Sequence, residues 1–484
     1  MSTTTFQLLN LIQMSLATLK KSCAATGHQI PELHESFTPS SEAFRADPAA
    51  ALAADTAAAA ALHLAAILLP PYVALHHVTG GHYRSTAARV CLELHVTEIL
   101  REAGPQASIH GLHVNGIAAK NGQDPKKLAR FLRYLAINHV YHEVSPDVFA
   151  NTCISSMLDM HKSSAEIIAD LDDTFKASAY TWETLSDPRT SHSGEATATP
   201  FCRALGINET VWEFYSHPDQ KYRQRRFDAA MQGGQALQPV DAIFDAYDWE
   251  GLAPGSVVVD VGGGVGTSAF PLARDFPALK LVVQDLSNVI EDLWSTTMLE
   301  AVESGRMQLE AHDFFKAQPK HDVPISVFLL KQIIHDWSDQ YALKILKRLR
   351  DAAAPDTKLV LVDTLIGYAC RQPSDNEGKQ ENGQGIPGAM PVEAPEPLLV
   401  NFGAVREMAS QIDIAMFILY NGQERTFHHL QRLLREAGWA LRAVRQNEKD
   451  SAYLQGIEAV PILPEGGRDA TNGYGNHDMV VDFA

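Results

Sequence analysis

A glycine-rich turn lies between two apolar runs in the second half of the chain and limits the folds that the chain can adopt. Residues 257–285 read VVVDVGGGVGTSAFPLARDFPALKLVVQD. The opening valines predict a buried strand, the residues after the glycines a helix of about 12 residues, and the run ending at Asp285 a second strand. Gly262, Gly264 and Gly266 permit a sharp turn and a close approach of the backbone to a ligand at the start of the helix. The stretch therefore predicts a βαβ half-unit with a polar ligand at its turn.

The spacing of this turn differs from that of a dinucleotide-binding loop. Thr267 stands where a G-x-G-x-x-G pattern starting at Gly262 needs its third glycine. Asp260 precedes the turn, where it would repel a pyrophosphate but suit an ammonium or sulfonium group. Asp285 is placed to accept hydrogen bonds from ribose hydroxyls. An adenosine with a cationic tail therefore fits better than NAD, and the alternative is an ordinary turn whose glycines only serve packing.

Four further motifs follow in the chain. They are HDFF at 312–315, ISVFLLKQIIHDWSD at 325–339, KLVLVDTL at 358–365 and NGQERTFHHLQRLLREAGW at 421–439. With the glycine turn, these motifs resemble the class I S-adenosylmethionine-dependent O-methyltransferases of the caffeate type, and among them the fungal polyketide O-methyltransferases. The resemblance covers about residues 178–454. It implies a Rossmann-like α/β sheet preceded by an all-α, winged-helix-like dimerisation domain.

Methyl transfer to a phenol needs a base, because a phenol with a pKa near about 10 keeps its proton at neutral pH. His335 follows the strand predicted at 325–330 and so lies at the carboxyl edge of the sheet, where open α/β folds bind ligands. The matched family uses the histidine of this motif as general base. Glu424 matches the acid of the family's NGxERT motif. Asp363 stands where caffeate-type enzymes have glutamate, and its alternative reading is a strand-end carboxylate that caps a turn.

The resemblance also implies the cofactor site and part of the acceptor site. It assigns the three glycines to the methionine portion of S-adenosyl-L-methionine, Asp285 to the ribose and Lys331 to a cofactor contact, although Lys331 could instead be a salt-bridge partner. Asp313 and Phe314 are expected on the adenine side, and no metal is expected. Flat aromatic walls suit a flat phenol, and the pocket candidates are Trp182, Met231, Trp337 and Met416.

Composition limits the partners and the compartment. The net charge of -18 argues against nucleic acid and against anionic membrane surfaces. The five cysteines are scattered without C-x-x-C spacing, which predicts neither zinc nor disulfides and favours a reducing compartment. The most apolar stretch, 49–75, is interrupted by Asp55, His63 and two prolines, so we expect no membrane span and no signal peptide. A cytoplasmic protein is predicted.

The chain divides into five predicted parts. They are a helical dimerisation arm at 1–75, a winged-helix-like dimerisation domain at 76–165, a helical linker and acceptor-pocket wall at 166–248, a catalytic domain at 249–463 with a disordered insertion at 367–397, and a flexible tail at 464–484. Helices are expected at 4–25, 41–69, 87–102, 114–120 and 125–138, a two-stranded wing after them, and a closing antiparallel pair at 440–445 and 452–459.

Three functions are compatible with these features. The first is a homodimeric methyltransferase that acts on a phenolic hydroxyl of a small aromatic acceptor such as a polyketide. The second is an enzyme on the same scaffold that catalyses cyclisation or decarboxylation, which retention of His335 and Glu424 disfavours. The third is a winged-helix DNA-binding regulator, suggested by Lys126, Lys127, Arg130 and Arg133. The acidic net charge speaks against it, and these basic residues fit the solvated side of an amphipathic helix.

Overall fold

The fold is known from a computed structural model of the 484-residue chain. It describes residues 3–104, 109–159, 173–237, 242–264, 266–294, 302, 304–371, 385–446 and 454–463. The predicted tail at 464–484 and the middle of the predicted insertion, 372–384, lie outside these residues.

A seven-stranded sheet forms the C-terminal part of the chain, in the spatial order β6-β5-β4-β7-β8-β10-β9. Strands β4 to β8 are parallel, and β10 runs antiparallel to both β8 and β9. This confirms the predicted Rossmann-like α/β fold and its closing antiparallel pair. The strands are β4 (Val257–Val261), β5 (Lys280–Asp285), β6 (Met307–Ala311), β7 (Ile325–Lys331), β8 (Lys358–Asp363), β9 (Trp439–Arg445) and β10 (Gln455–Pro461).

The sheet is covered on both faces, which explains its apolar strands. Val257, Val259 and Val261 face one core with the helices Asp339–Ala352 and Phe427–Glu436, while Val258 faces a second core with the helix Ala269–Asp275. A parallel strand buried on both faces reads as a continuous apolar run rather than an alternating one. The helix after the glycine turn has 7 residues, shorter than predicted.

The N-terminal half is mainly helical. A second, three-stranded sheet has the order β1-β3-β2, with β1 (Leu112–His113), β2 (Tyr141–Ser145) and β3 (Val148–Asn151). Its hairpin follows two helices, as the wing prediction expected. The α-helices not yet given are Thr3–Thr26, Pro48–Leu68, Pro71–Thr79, Gly81–Glu93, Val96–Glu102, Val114–Asn121, Pro125–Ala136, Thr181–Ser186, Pro200–Leu205, Val211–Tyr215, Lys221–Leu237, Ala242–Asp245, Ser287–Trp294 and Met408–Tyr420.

Two predicted helices are divided by local chain chemistry. The segment predicted as one helix at 41–69 is a 3₁₀ helix, Pro39–Ala46, followed by the α-helix Pro48–Leu68. The Asp47 carboxylate accepts the N–H of Ala49, and Pro48 occupies the first turn, where a missing N–H costs nothing. The helix predicted at 87–102 breaks at His95, which has a φ of 50°. Both divisions shorten the rigid units of the N-terminal half.

The N-terminal helices pack against residues 394–406 of the C-terminal part of the chain. Among the described residues one helix, Pro48–Leu68, is long and apolar enough to cross a membrane by length and composition alone. Its Asp55 pairs with Arg406 at 2.9 Å and with Arg45 at 3.0 Å, and its Ala59 and Ala60 share a core with Phe402. These contacts cover one face of the helix, and 22% of its most apolar 18-residue window is buried inside the structure.

Part of the segment predicted as a disordered insertion is packed against the sheet. The N–H of Val444 in β9 donates to the carbonyl of Pro387 at 2.8 Å, and Ala389 and Ala394 are buried. Ala394 belongs to the same core as Phe402. For residues 385–397 the prediction of disorder is therefore wrong, because small apolar side chains fill gaps that no sequence periodicity reveals.

Candidate functional site

The sheet order brings two predicted motifs to one edge. From β4 the chain moves to β5 on one side, and after β6 it returns to β7 on the other side of β4. The carboxyl ends of β4 and β7 therefore meet at the topological switch point, where open α/β sheets bind ligands. The glycine turn follows β4, and the turn that carries His335 follows β7.

His335 and Glu424 form a buried pair. Nδ1 of His335 lies 2.6 Å from Oε1 of Glu424, although 89 residues separate the two in the chain. The backbone N–H of Gln423 donates to the carbonyl of His335 at 2.8 Å, which joins the two segments. A Cβ at Gly422 would overlap the carbonyl of His335, so only glycine permits this close approach. The geometry leaves Nε2 of His335 as the second functional nitrogen.

Two further carboxylates surround the imidazole. Oδ1 of Asp336 lies 3.4 Å from Nε2 of His335. Asp363 ends β8, its side chain is buried, and its Oδ1 has no hydrogen-bond partner among the described residues. Charge interactions couple Asp363 to His335, Glu424 and Lys331.

Burial and charge set the protonation of this cluster. Burial disfavours the imidazolium of His335, but Glu424, Asp336 and Asp363 outweigh burial and raise the pKa of His335 to about 10. Burial raises the pKa of Asp336 to about 7 and that of Asp363 to about 6. The negative neighbours therefore give the imidazole of His335 a high affinity for a second proton.

Arg425 braces the turn that carries His335. Its guanidinium donates to the carbonyl of Ile334 at 2.8 Å and to that of Trp337 at 2.7 Å, and its Nε donates to Asp339 at 3.1 Å. Nε2 of His429 lies 2.7 Å from the other oxygen of Asp339. The sequence places Arg425 in the NGQERT motif but predicts no role for it, because backbone carbonyls of distant residues are acceptors that no sequence pattern reveals.

Asp413 is a second residue of this site that was not predicted from the sequence. It lies on the helix Met408–Tyr420, and its Oδ1 accepts the backbone N–H of Glu424 at 2.8 Å. Burial raises the pKa of Asp413. The sequence pattern that could have indicated it is a carboxylate within an apolar helix, eleven residues before the acid of the NGxERT motif. The helix that carries Met416 is thus tied directly to the acid beside His335.

The glycine turn is shaped for a close ligand. Gly262, Gly264 and Gly266 have φ values of 70°, 53° and 76°, which side chains rarely tolerate. The N–H of Gly264 donates to Oδ2 of Asp285 at 2.8 Å. A Cβ on Gly262 would meet Ile333, next to the His335 turn. The turn thus lies directly against the neighbouring loop and holds Asp285 at the strand end.

Asp260 and Lys331 lie beside the glycine turn at the ends of β4 and β7. Asp260 is buried, and its Oδ2 lacks a hydrogen-bond partner among the described residues. Burial raises its pKa to about 7, against the opposing effect of Lys331. Burial lowers the pKa of Lys331 to about 8, while Asp260 and Asp363 act against that change. An unsatisfied buried carboxylate oxygen under a glycine cradle fits a cationic ligand such as S-adenosyl-L-methionine.

Aromatic side chains line the other wall of this edge. Phe314 lies edge-on to Trp337 with ring centroids 5.9 Å apart, and Phe315 packs on Trp337 at 4.8 Å. Oδ1 of Asp313 accepts the N–H of Phe315 at 3.0 Å, which fixes the turn after β6. The structure therefore brings Asp313, Phe314 and Trp337 together next to the glycine turn.

The four pocket candidates differ in position. Met416 is partly buried and packs in a cluster with Trp212 and Phe227, in which Trp212 stacks on Tyr420 at 5.2 Å. Trp337 lies in the aromatic wall described above. Trp182 is 73% exposed and Met231 48% exposed, so within one chain both lie at the surface. The residues described contain no cluster of three or more His, Cys, Asp or Glu side chains suited to a metal.

Comparisons with known proteins identify the family to which the chain is similar. A family model described as an O-methyltransferase domain matches residues 182–382. The chain is 47% identical over 477 residues to 4-O-methyltransferase 1 of Phanerochaete chrysosporium, covering 94% of this chain and 98% of that protein.

Solved structures share the fold. One is the O-methyltransferase NcsB1 from neocarzinostatin biosynthesis, in complex with S-adenosyl-L-homocysteine and 1,4-dihydroxy-2-naphthoic acid. It is 22% identical with a TM-score of 0.56, covering 78% of this chain and 96% of that one. Another is described as a pericyclic reaction enzyme and is 17% identical with a TM-score of 0.65, covering 92% of this chain and 100% of that one.

Proposed function

The chain belongs to the class I O-methyltransferase family, whose cofactor is S-adenosyl-L-methionine. We propose that it methylates a phenolic hydroxyl of an aromatic secondary metabolite such as a polyketide. The observation that carries the proposal is the buried pair of His335 and Glu424 at the switch point of the sheet, 2.6 Å apart. The imidazole of His335 and the carboxylate of Glu424 are thus paired at the sheet edge that also carries the glycine turn.

His335 acts as general base through Nε2. Because Glu424 occupies Nδ1, the other nitrogen accepts the proton of the acceptor hydroxyl. Glu424, Asp336 and Asp363 stabilise the imidazolium that results, and the same charges raise the pKa of His335. The proton affinity of the base therefore approaches that of a phenol, whose pKa is about 10.

When bound, S-adenosyl-L-methionine supplies an electrophilic methyl group on a sulfonium. The chain's own residues hold and orient it: the glycine turn at the methionine portion, Asp285 at the ribose, Asp313 and Phe314 at the adenine, and Lys331 at the edge of the cofactor. Asp260 places negative charge beneath the turn. Arg425 keeps the His335 turn rigid, so that the base and the cofactor site stay in register.

Met416 and Trp337 are proposed as walls of the acceptor pocket. Trp182 and Met231 are exposed in one chain, and a homodimer would be needed to enclose them.

Large apolar side chains on the N-terminal helices support such a dimer, since an exposed apolar patch marks an association surface. They include Met14, Leu68, Tyr72, Leu75 and Val78. Light scattering of the purified protein should give twice the mass of the 53.0 kDa chain. We propose a cytoplasmic location, in keeping with five cysteines scattered along the chain without C-x-x-C spacing.

The test is to incubate the purified protein with S-adenosylmethionine and a panel of aromatic polyketides and simpler phenols. Release of S-adenosylhomocysteine with a product heavier by one methylene supports the proposal. Consumption of an acceptor at unchanged mass, or with loss of carbon dioxide, would instead show cyclisation or decarboxylation.

The role of His335 is tested by His335→Ala. We expect the variant to bind the cofactor normally and to lose about 100-fold to 10,000-fold in turnover. His429→Ala is a control, because His429 pairs with Asp339 outside the base pair, and its loss in turnover should be much smaller. Turnover of His335→Ala at the wild-type rate would exclude His335 as the base.

A further inference from the structure

A connection in the helical part of the chain, residues 187–199, crosses to the motifs that carry the base pair. It joins the helix Thr181–Ser186 to the helix Pro200–Leu205. All of its residues are described, and they form no helix or strand of their own. Ordered connections of this length are uncommon and usually have a function. We call residues 187–199 the strap.

Three consecutive carbonyls of the strap accept hydrogen bonds from the segments that supply the base and its acid. Nδ2 of Asn421 donates to the carbonyl of Ser193 at 2.8 Å and to that of Glu195 at 2.9 Å. Oγ of Ser338 donates to the carbonyl of Gly194, which lies between them, at 2.7 Å. Ser338 lies three residues after the base, and Asn421 lies three residues before the acid. The strap is therefore bonded to both segments of the base pair.

The carboxylate of Glu195 fastens the strap to the helix Asp339–Ala352. Its Oε2 accepts the hydroxyl hydrogen of Tyr341 at 2.5 Å, and its Oε1 accepts a hydrogen from Nε2 of Gln340 at 3.2 Å. These two bonds lower the pKa of Glu195, and the first of them raises the pKa of Tyr341. Hydrogen bonds to an ionised acceptor are stronger than those between neutral groups. We call the bond between Glu195 and Tyr341 the latch.

The two ends of the strap are joined to each other. Oδ2 of Asp187, its first residue, accepts a hydrogen bond from Arg203 of the following helix at 2.8 Å. The side chain of Thr199, its last residue, accepts the N–H of Cys202 in the same helix at 3.0 Å. Compact surface loops with closely spaced ends are frequently functional. The middle of the strap, by contrast, is held only from the catalytic part of the chain by the bonds described above.

The helix after the strap leads into the wall proposed for the acceptor. Phe201 of this helix is buried in the cluster that includes Met416, and its ring lies edge-on to Phe214 with centroids 5.7 Å apart. Met416 belongs to the helix Met408–Tyr420, which ends at Asn421. Asn421 in turn bonds the strap. The acceptor wall, the strap and the base pair thus form one connected unit.

We propose, resting on the function above, that the strap holds the acceptor wall in place relative to His335, with Glu195 and Tyr341 as positioning residues that set how tightly the acceptor is bound. The ring of Tyr341 lies 5.7 Å from that of Phe315 and 5.8 Å from that of Trp337, between centroids. The latch is therefore directly connected to the aromatic wall. A wall fixed in advance lowers the cost of ordering the site when an acceptor binds.

The first test is Tyr341→Phe, which removes the hydroxyl of the latch and keeps a ring to pack on Trp337. The KM of the acceptor should rise about threefold or more, and so should the Kd of 2-naphthol, measured by calorimetry on the full-length protein saturated with S-adenosylhomocysteine. The Kd of S-adenosylhomocysteine and the pH dependence of kcat should not change, because the glycine turn and the base pair stay intact. Tyr368→Phe, at an exposed tyrosine outside the strap, is the control and should leave every value unchanged.

Limited proteolysis measures the opening of the strap without turnover. The side chain of Arg189 is 85% exposed, so trypsin can cut after it once the strap leaves the catalytic part of the chain. In Glu195→Ala the rate of this cut, followed by mass spectrometry, should rise about threefold or more. Glu195→Gln keeps an oxygen that accepts from Tyr341, so its increase should be smaller. Glu183→Gln, an exposed acid in the preceding helix, should match the wild type.

The combined variant and the set of outcomes decide between the proposals. Glu195→Ala and Tyr341→Phe together should have less than the sum of their separate effects, because both break the same bond. Wild-type cleavage and wild-type 2-naphthol binding in Tyr341→Phe would overturn the inference, as would an equal loss of S-adenosylhomocysteine binding. Faster cleavage and weaker 2-naphthol binding without methyl transfer to any phenol would uphold the strap and contradict the proposed function. Methyl transfer with an unchanged acceptor KM in Tyr341→Phe would do the opposite, and a wild-type protein that binds no phenol would overturn both.

Discussion

Replacing Asp363 with asparagine should make the protein more stable at alkaline pH. The carboxylate is buried, and burial raises its pKa from 3.8 to about 6. A rise of this size corresponds to about 3 kcal/mol of lost folding free energy when the group is ionised. Because the folded state binds the proton more tightly than the unfolded state, the penalty grows as pH rises through this window and is complete above it. The gain from Asp363→Asn should therefore be largest near pH 8.

Urea unfolding of both proteins at pH 8 and pH 5 checks this reasoning. The buried amide carries its own cost of about 1–3 kcal/mol, but that cost is independent of pH. The difference in free energy of unfolding between variant and wild type should shift in favour of the wild type by about 1–2 kcal/mol between pH 8 and pH 5. Asp356→Asn, an exposed carboxylate before the same strand, serves as control and should show little shift. A pH-independent difference for Asp363→Asn would refute the argument.

Three further predictions concern the turn around His335. The value of kcat/KM should rise with pH from 6 to above 9, because the base acts in its neutral form and its negative neighbours raise the pKa of His335 to about 10; a flat profile would contradict this. In Gly422→Ala, the new methyl group overlaps the carbonyl of His335, so the thermal midpoint should fall and the free energy of unfolding should drop by more than about 2 kcal/mol. A thermal midpoint equal to that of the wild type would contradict this packing. Arg425→Lys, which cannot span both carbonyls, should lower kcat with little change in cofactor Kd by calorimetry, and a selective loss of cofactor binding would place Arg425 elsewhere.

The sequence was most informative where function depends on local chain chemistry. The glycine turn after β4 and the histidine after β7 could be found because each follows a strand that is visible as an apolar run. Strand ends in a parallel sheet share one edge, so the order of the motifs was enough to place them together. The predicted helix start at 125 is confirmed as well, and there the Asp124 side chain accepts the N–H of Lys127.

It was least informative where contacts join distant segments. The prediction of one helix at 41–69 overlooked the break at Asp47-Pro48, because the alanine-rich pattern favours a continuous helix despite the proline. Residues 385–397 looked polar and irregular, yet Ala389 and Ala394 are buried. Their order depends on a hydrogen bond from Val444 and on a core shared with the N-terminal helices, neither of which leaves a periodic pattern.

The fold class and the family could be inferred from the sequence, and so could the candidacy of His335 and Glu424, because all of these depend on residue types at fixed spacing. The folded structure was needed to show that Asp336 lies near Nε2, that Asp363 belongs to the same cluster, and that Asp413 and Arg425 hold the pair in place. Proton affinity depends on distance, burial and the charges of neighbours that are far apart in the chain, and these quantities exist only once the chain has folded.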